Sequence, residues 1–162
     1  MNFEKYKADK AILKFLISDL KGLSLDDSRV PLFEKLWEDS CHKRGTNRKK
    51  ATQKVKNVIV NLIRSVLSYD RAIRETEEAI WNTRTQVSSP LLFNSYKISG
   101  EPPTVPDDYR LDFYSDLEKE SLQGGKRGRV AKEKMKNIIY HLFYYVSCRK
   151  ETLGWHTEIL KS

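Results

Sequence analysis

The chain has 162 residues, 39% of them hydrophobic and 32% charged, with seven Gly and five Pro. That composition suits a folded domain with a core of its own rather than a disordered chain, and no apolar run approaches the ~20 residues of a membrane span. The formal net charge of +8 is unevenly placed: residues 41–57 carry seven Lys or Arg and no acid, residues 124–136 carry six and one Glu, and the remainder is net −4.

A mildly acidic body with two concentrated basic segments points to a localised anionic partner. The two cysteines, Cys41 and Cys148, are too few for a disulfide framework. The first ten residues are charged throughout and show no secretory pattern. An intracellular setting, cytoplasm or nucleus, is therefore expected.

In chain order, residues 2–21 place Phe3, Tyr6, Ile12, Leu13, Leu16 and Leu20 near one helical stripe ending at Gly22. A second helix is predicted from Pro31 to His42, with Leu32, Phe33, Leu36 and Trp37 facing inward. Gly45 and Asn47 mark a turn. From Arg48 to about Gln86 there is neither Gly nor Pro. Val55, Ile59, Leu62, Val66, Tyr69, Ile73 and Ile80 keep a heptad-like spacing there, with Thr76 in one slot. One unbroken helix of that length spans nearly ~60 Å, long for a compact domain. Either it protrudes and pairs with a partner, or it breaks at Ser68–Asp70, where Ser68 or Asp70 can cap.

Residues 87–112 hold all but one of the prolines and read as a connector, with a short extended piece at "LFNSYKIS". A helix follows from about Leu111 to Leu122, then a turn at Gly124, Gly125 and Gly128. A last, apolar helix runs from about Val130 to Cys148. Trp37 and Trp81 are expected in the core. Trp155 lies in a tail that docks or anchors an interface.

The chain repeats itself. Residues 49–67 set over 129–147, at a constant offset of 80, match at Ala51/Ala131, Lys54/Lys134, Lys56/Lys136, Asn57/Asn137, Ile59/Ile139, Leu62/Leu142 and Val66/Val146. Average composition gives about one such match. The Lys-Arg-Gly triplets at Lys43–Gly45 and Lys126–Gly128 align only after a three-residue gap. The expectation is an all-α helical bundle built by duplication of a helix hairpin, about residues 30–68 and 110–148. It forms a single domain over 1–162 with halves 1–86 and 111–162 joined by a connector at 87–110.

Both basic runs fall at a turn and in the first turns of the following helix. Cations there oppose the helix dipole and cost a few tenths of a kcal/mol each, up to ~1. An anion placed there reverses the sign, because free N–H groups, dipole and side chains then act together. The candidate binding residues are Lys43, Arg44, Asn47, Arg48, Lys49, Lys50 and Lys54 in the first run. In the second they are Lys126, Arg127, Arg129, Lys132 and Lys134. Arg44, Asn47, Arg48, Arg127 and Arg129 have side chains suited to base edges. Tyr140, Tyr144 and Tyr145 sit in the apolar part and read as core.

The expected partner is nucleic acid, as duplex DNA or structured RNA, with DNA favoured. The expected role is regulatory or architectural, and the mechanism is phosphate clamping by two helix N-termini. The rival is a helical adaptor that uses the 52–80 seam to dimerise or bind a partner helix, with its basic segments on an acidic protein. No nucleotide-loop, zinc-knuckle or catalytic motif is present, and His42, His141 and His156 do not combine with the cysteines at metal-ligand spacing. Neither enzymatic activity nor a cofactor nor a metal is expected. Glu75, Glu77 and Glu78 read as a solvated face making i,i+4 pairs.

Overall fold

A computed structural model of the protein describes residues 10–18, 20, 27–84 and 108–161, and these contain five helices and no strand. They are α1 (Lys10–Leu16), α2 (Arg29–His42), α3 (Gly45–Arg84), α4 (Tyr109–Ser121) and α5 (Gly125–Lys161). Phe3, Tyr6, the "LFNSYKIS" segment and the prolines between 87 and 107 lie outside the described residues. No described helix is long and apolar enough to cross a membrane.

The architecture is a short helix doubling back into a long one, twice. α2 has 14 residues and α3 has 40; α4 has 13 and α5 has 37. The most extensive packing is between α3 and α5, and each short helix lies mainly against the long helix that follows it. α3 and α5 run side by side in the same direction. The Tyr145 hydroxyl donates to Asp70 at 3.0 Å, Arg149 pairs with Asp70 at 3.4 Å, and further along His156 stands 4.0 Å from Glu77. Both long helices therefore start at the same end of the molecule.

The core is built from the faces that the sequence periodicity marks. Val55, Ile59, Leu62, Ile63 and Val66 of α3 meet Met135, Ile138, Ile139, Leu142, Phe143 and Val146 of α5, and all are buried. The first half of the heptad-like seam, Val55 to Val66, thus lies in the core shared with this chain's own α5. α2 adds Phe33, whose ring stands edge-on to Tyr140 at 5.7 Å and tilted against Phe143 at 5.9 Å. α4 adds Phe113, Tyr114 and Leu117. Thr76, the polar slot in the seam, is 1% exposed and satisfies its hydroxyl on the carbonyls of Ala72 and Ile73, both at 2.9 Å.

α2 and α4 begin with the same device. Asp27 accepts the backbone N–H of Arg29 at 2.9 Å and pairs with its guanidinium at 2.8 Å. Asp108 does the same with Arg110, at 2.9 and 2.7 Å. An Asp ahead of the first turn supplies an acceptor to an orphan N–H and a charge that suits the dipole. Hydrogen bonds from Arg29 hold Asp27 below the usual carboxylate range. Burial opposes ionisation of Asp108, but the Arg110 hydrogen bonds outweigh it and its carboxyl is also held low.

α1 lies on α5 through Leu13 and Leu16, both buried. The carbonyls just past its end are met by side chains one turn apart on α5. Asn137 Nδ2 donates to the Ile17 carbonyl at 3.0 Å, and His141 Nε2 lies 2.8 Å from the Ser18 carbonyl. Burial pulls the His141 imidazole below its ordinary pKa, against the opposing effect of the Ser18 carbonyl.

Several sequence expectations are corrected. α3 does not break at Ser68–Asp70, because Asp70 is engaged across the helix pair by Tyr145 and Arg149 rather than capping. α5 does not end near Cys148; it continues to Lys161, so Trp155 lies on a helix and is exposed, and Gly154 is a helix-interior residue. Trp81 is 67% exposed, outside the core expected for it. Ile12 and Leu32 are likewise exposed, because Leu13 and Val30 take the inward positions. The buried part of α5 begins already at Gly128 and Ala131 and ends at Val146, so the core grips the first half of that helix, not its end.

Candidate functional site

The two turns carry left-handed glycines 80 residues apart. α3 opens on Gly45 with φ 62°, and α5 opens on Gly125 with φ 63°. Only glycine adopts this left-handed backbone without strain. The Lys-Arg-Gly triplets are therefore not equivalent: Gly45 ends the turn, whereas Gly128 lies inside α5. A Cβ at Gly128 would sit 2.8 Å from the Ser121 carbonyl oxygen, so this glycine lets α5 press against the end of α4.

Because α3 and α5 are parallel neighbours, the two turns border one cleft of about 780 Å³. Its rim carries Arg48, Lys49 and Lys56 from α3, and Arg129 and Lys132 from α5. None of the five has a carboxylate partner among the described residues. Glu118 is the acidic residue of the lining. The floor is apolar and buried: Trp37, Val55, Tyr114 and Met135. Much of the wall is paired by the same offset of 80, as in Cys41/Ser121, Gly45/Gly125, Lys49/Arg129 and Val55/Met135.

Of the twelve residues expected at the site, Arg48, Lys49, Arg129 and Lys132 line the cleft. Lys43, Arg44, Asn47, Lys50, Lys54, Lys126, Arg127 and Lys134 stand at the same end of the molecule but not in its wall. Two of these are engaged by their own short helices. Lys43 is 3.7 Å from Asp39, and Arg127 is 3.0 Å from Glu120.

Lys56 was missing from the expected set. Its signal lay in the spacing, since Lys49, Thr52 or Gln53, and Lys56 fall one and two turns apart on a single face. Lys50 and Lys54 fall on another face. No sequence pattern pointed to Tyr114 or Trp37 as cleft residues; Trp37 reads as an ordinary core position, and nothing singles out Tyr114.

Tyr114 is the unusual member. It is 1% exposed, and its hydroxyl has no hydrogen-bond partner among the described residues. Tyr114 lines the cleft. Burial pushes its phenol well above the ordinary tyrosine range, and Glu118 adds to this. The group is thus a neutral donor without an acceptor. Among the described residues no cluster of three or more His, Cys, Asp or Glu side chains is placed to hold a metal ion.

No family model matches the chain, and neither a curated protein nor a solved structure matches it. The functional reading rests on the site alone.

Proposed function

We propose that the protein binds nucleic acid, gripping backbone phosphates with the basic starts of α3 and α5, in a regulatory or architectural role. The observation that carries this is the joining of both basic runs on one rim. Five cations without carboxylate partners among the described residues surround a single concavity at the positive ends of two parallel helix dipoles. Cations held together at that cost are relieved by a polyanion, and phosphate is the anion that helix starts and Arg or Lys side chains bind best. The matched glycines, the offset pairing of the cleft wall and the twin Asp–Arg caps support an origin by duplication of the hairpin.

The adaptor reading requires a free seam on α3. Ile59, Leu62 and Val66 are instead buried in the core shared with α5, so the nucleic-acid reading is preferred. DNA is favoured over RNA on the sequence argument alone.

The test is fluorescence anisotropy with labelled DNA and RNA between about 50 and 200 mM salt, where the log of affinity falls by ~0.7 to 0.9 per neutralised phosphate per log unit of salt. The double variant Lys49→Glu/Arg129→Glu is expected to abolish binding, while Lys161→Glu at the far end of α5 leaves it intact. Binding that ignores salt, or that survives the double variant, refutes the reading.

A further inference from the structure

The cleft has a shape as well as a charge, and the shape bears on which nucleic acid enters it. Two side-by-side helices, each ~10–12 Å across with side chains, present an end nearly ~20 Å wide. The major groove of duplex DNA is ~12 Å wide, so the pair of tips does not enter it. Helices packed at ~8–10 Å also cannot reach two half-sites one turn apart, ~34 Å. A duplex keeps its bases stacked inside and meets this protein only along a phosphate ridge. Against a duplex the cavity stays empty and its floor goes unused.

The floor is what a phosphate grip alone does not explain. About 780 Å³ is within the range of sites that enclose small organic groups. Phosphate has no use for buried Val55, Met135 and Trp37, and the Tyr114 hydroxyl offers a neutral donor beneath a charged rim. A nucleobase has the complementary chemistry: a flat apolar face and acceptor atoms on its edge. An unpaired base entering the cavity leaves its flanking phosphates at rim height, beside Arg48, Lys49, Arg129 and Lys132.

We infer that the cleft is a site for an unpaired nucleotide, taking one base of a single strand against its apolar floor and the Tyr114 hydroxyl while the rim holds the adjoining phosphates. This deepens the nucleic-acid reading and rests on it. Sequence reading pointed instead to duplex or folded RNA, because a run of Lys and Arg records charge but not the depth of the site it surrounds.

The experiment is an anisotropy titration of the whole chain with three labelled ligands of equal phosphate count: a short oligothymidylate, an abasic strand and a duplex. It is run for the wild type and for Tyr114→Phe, and repeated with the ribo-oligomer. The single strand is expected to bind at least ~10-fold tighter than the duplex or the abasic strand, as base stacking and edge contacts add to the shared phosphate contribution. Tyr114→Phe keeps the ring and is expected to weaken the single strand several-fold while leaving abasic-strand and duplex binding unchanged.

Equal binding of all three ligands, or a duplex preference, overturns the base pocket and leaves the phosphate grip standing. An unchanged single-strand affinity in Tyr114→Phe overturns the role of the hydroxyl. Absence of binding to every ligand sinks the phosphate grip and the pocket together. Thermal unfolding of the variant separates loss of contact from loss of fold.

Discussion

The same substitution at two glycines of α5 should have unequal consequences. Gly154 lies inside the helix with nothing within 4 Å of a Cβ added there. Gly154→Ala removes only the conformational cost of glycine in a helix, worth ~0.8–1.0 kcal/mol. Gly128 is helical too, but its Cβ would meet the Ser121 carbonyl oxygen at 2.8 Å. The obstacle is backbone, so no side chain can swing away and the end of α4 must shift. Forced overpacking of this kind costs ~1–3 kcal/mol. Gly128→Ala gains the same helix propensity but incurs the overpacking cost. Its net effect therefore runs from about no change to ~2 kcal/mol of destabilisation.

The difference between the two variants cancels propensity and isolates the clash. It should amount to ~1–3 kcal/mol, or several degrees in Tm at ~2–4 °C per kcal/mol for a chain of this size. Urea and thermal unfolding of both variants measure it. Equal stabilisation by the two substitutions would refute the close approach of α5 to α4, and with it the packing that closes one side of the cleft.

Other outcomes follow from the same structure. Asp108→Asn should cost ~2–3 kcal/mol, because it leaves the Arg110 guanidinium, 13% exposed, without its counter-charge. Asp27→Asn should cost less than ~1 kcal/mol, since the Arg29 side chain is 49% exposed and solvated. Chemical denaturation of the two variants checks the ranking. Both carboxyls are held low in the folded state, so their contribution is present above the unfolded pKa near ~4 and is lost as pH falls through the folded value. His141 acts in the same direction at milder pH. Its folded pKa is depressed, the unfolded chain binds the extra proton, and stability should decline as pH falls below ~6.5. The slope from this residue cannot exceed ~1.36 kcal/mol per pH unit. Comparing urea midpoints at about pH 7.5 and 5.5 should show the decline, and His141→Gln, which can still donate to the Ser18 carbonyl, should reduce it.

Much of the fold was legible residue by residue. The inward positions Phe33, Trp37, Val55, Ile59, Leu62 and Val66 follow from helical spacing, and each is buried. Element order was legible because most Gly and Pro cluster at the turns and α3 has neither after Gly45. The errors have separate sources. Leu32 loses the inward place on α2 to Val30 and Phe33, and Trp81 lies near the end of the 40-residue α3, which the 14-residue α2 covers only in part. Asp70 resembles a cap in the sequence, and only its cross-helix partners reveal that the helix runs on.

The candidate site divides in the same way. Sequence alone determined that the protein is helical, that its charge is gathered into two runs, and that each run begins a long helix, because these depend on composition and local spacing. It could not say whether the two runs meet. That was decided by α3 and α5 packing in parallel, which brings Lys49 beside Arg129 across a single cleft. The tertiary structure also decided which cations line the cleft, since only one face of each helix turns toward it. The apolar floor and the Tyr114 hydroxyl belong wholly to the tertiary structure. A residue's place in a cavity depends on chain segments distant in sequence, and no local pattern encodes it.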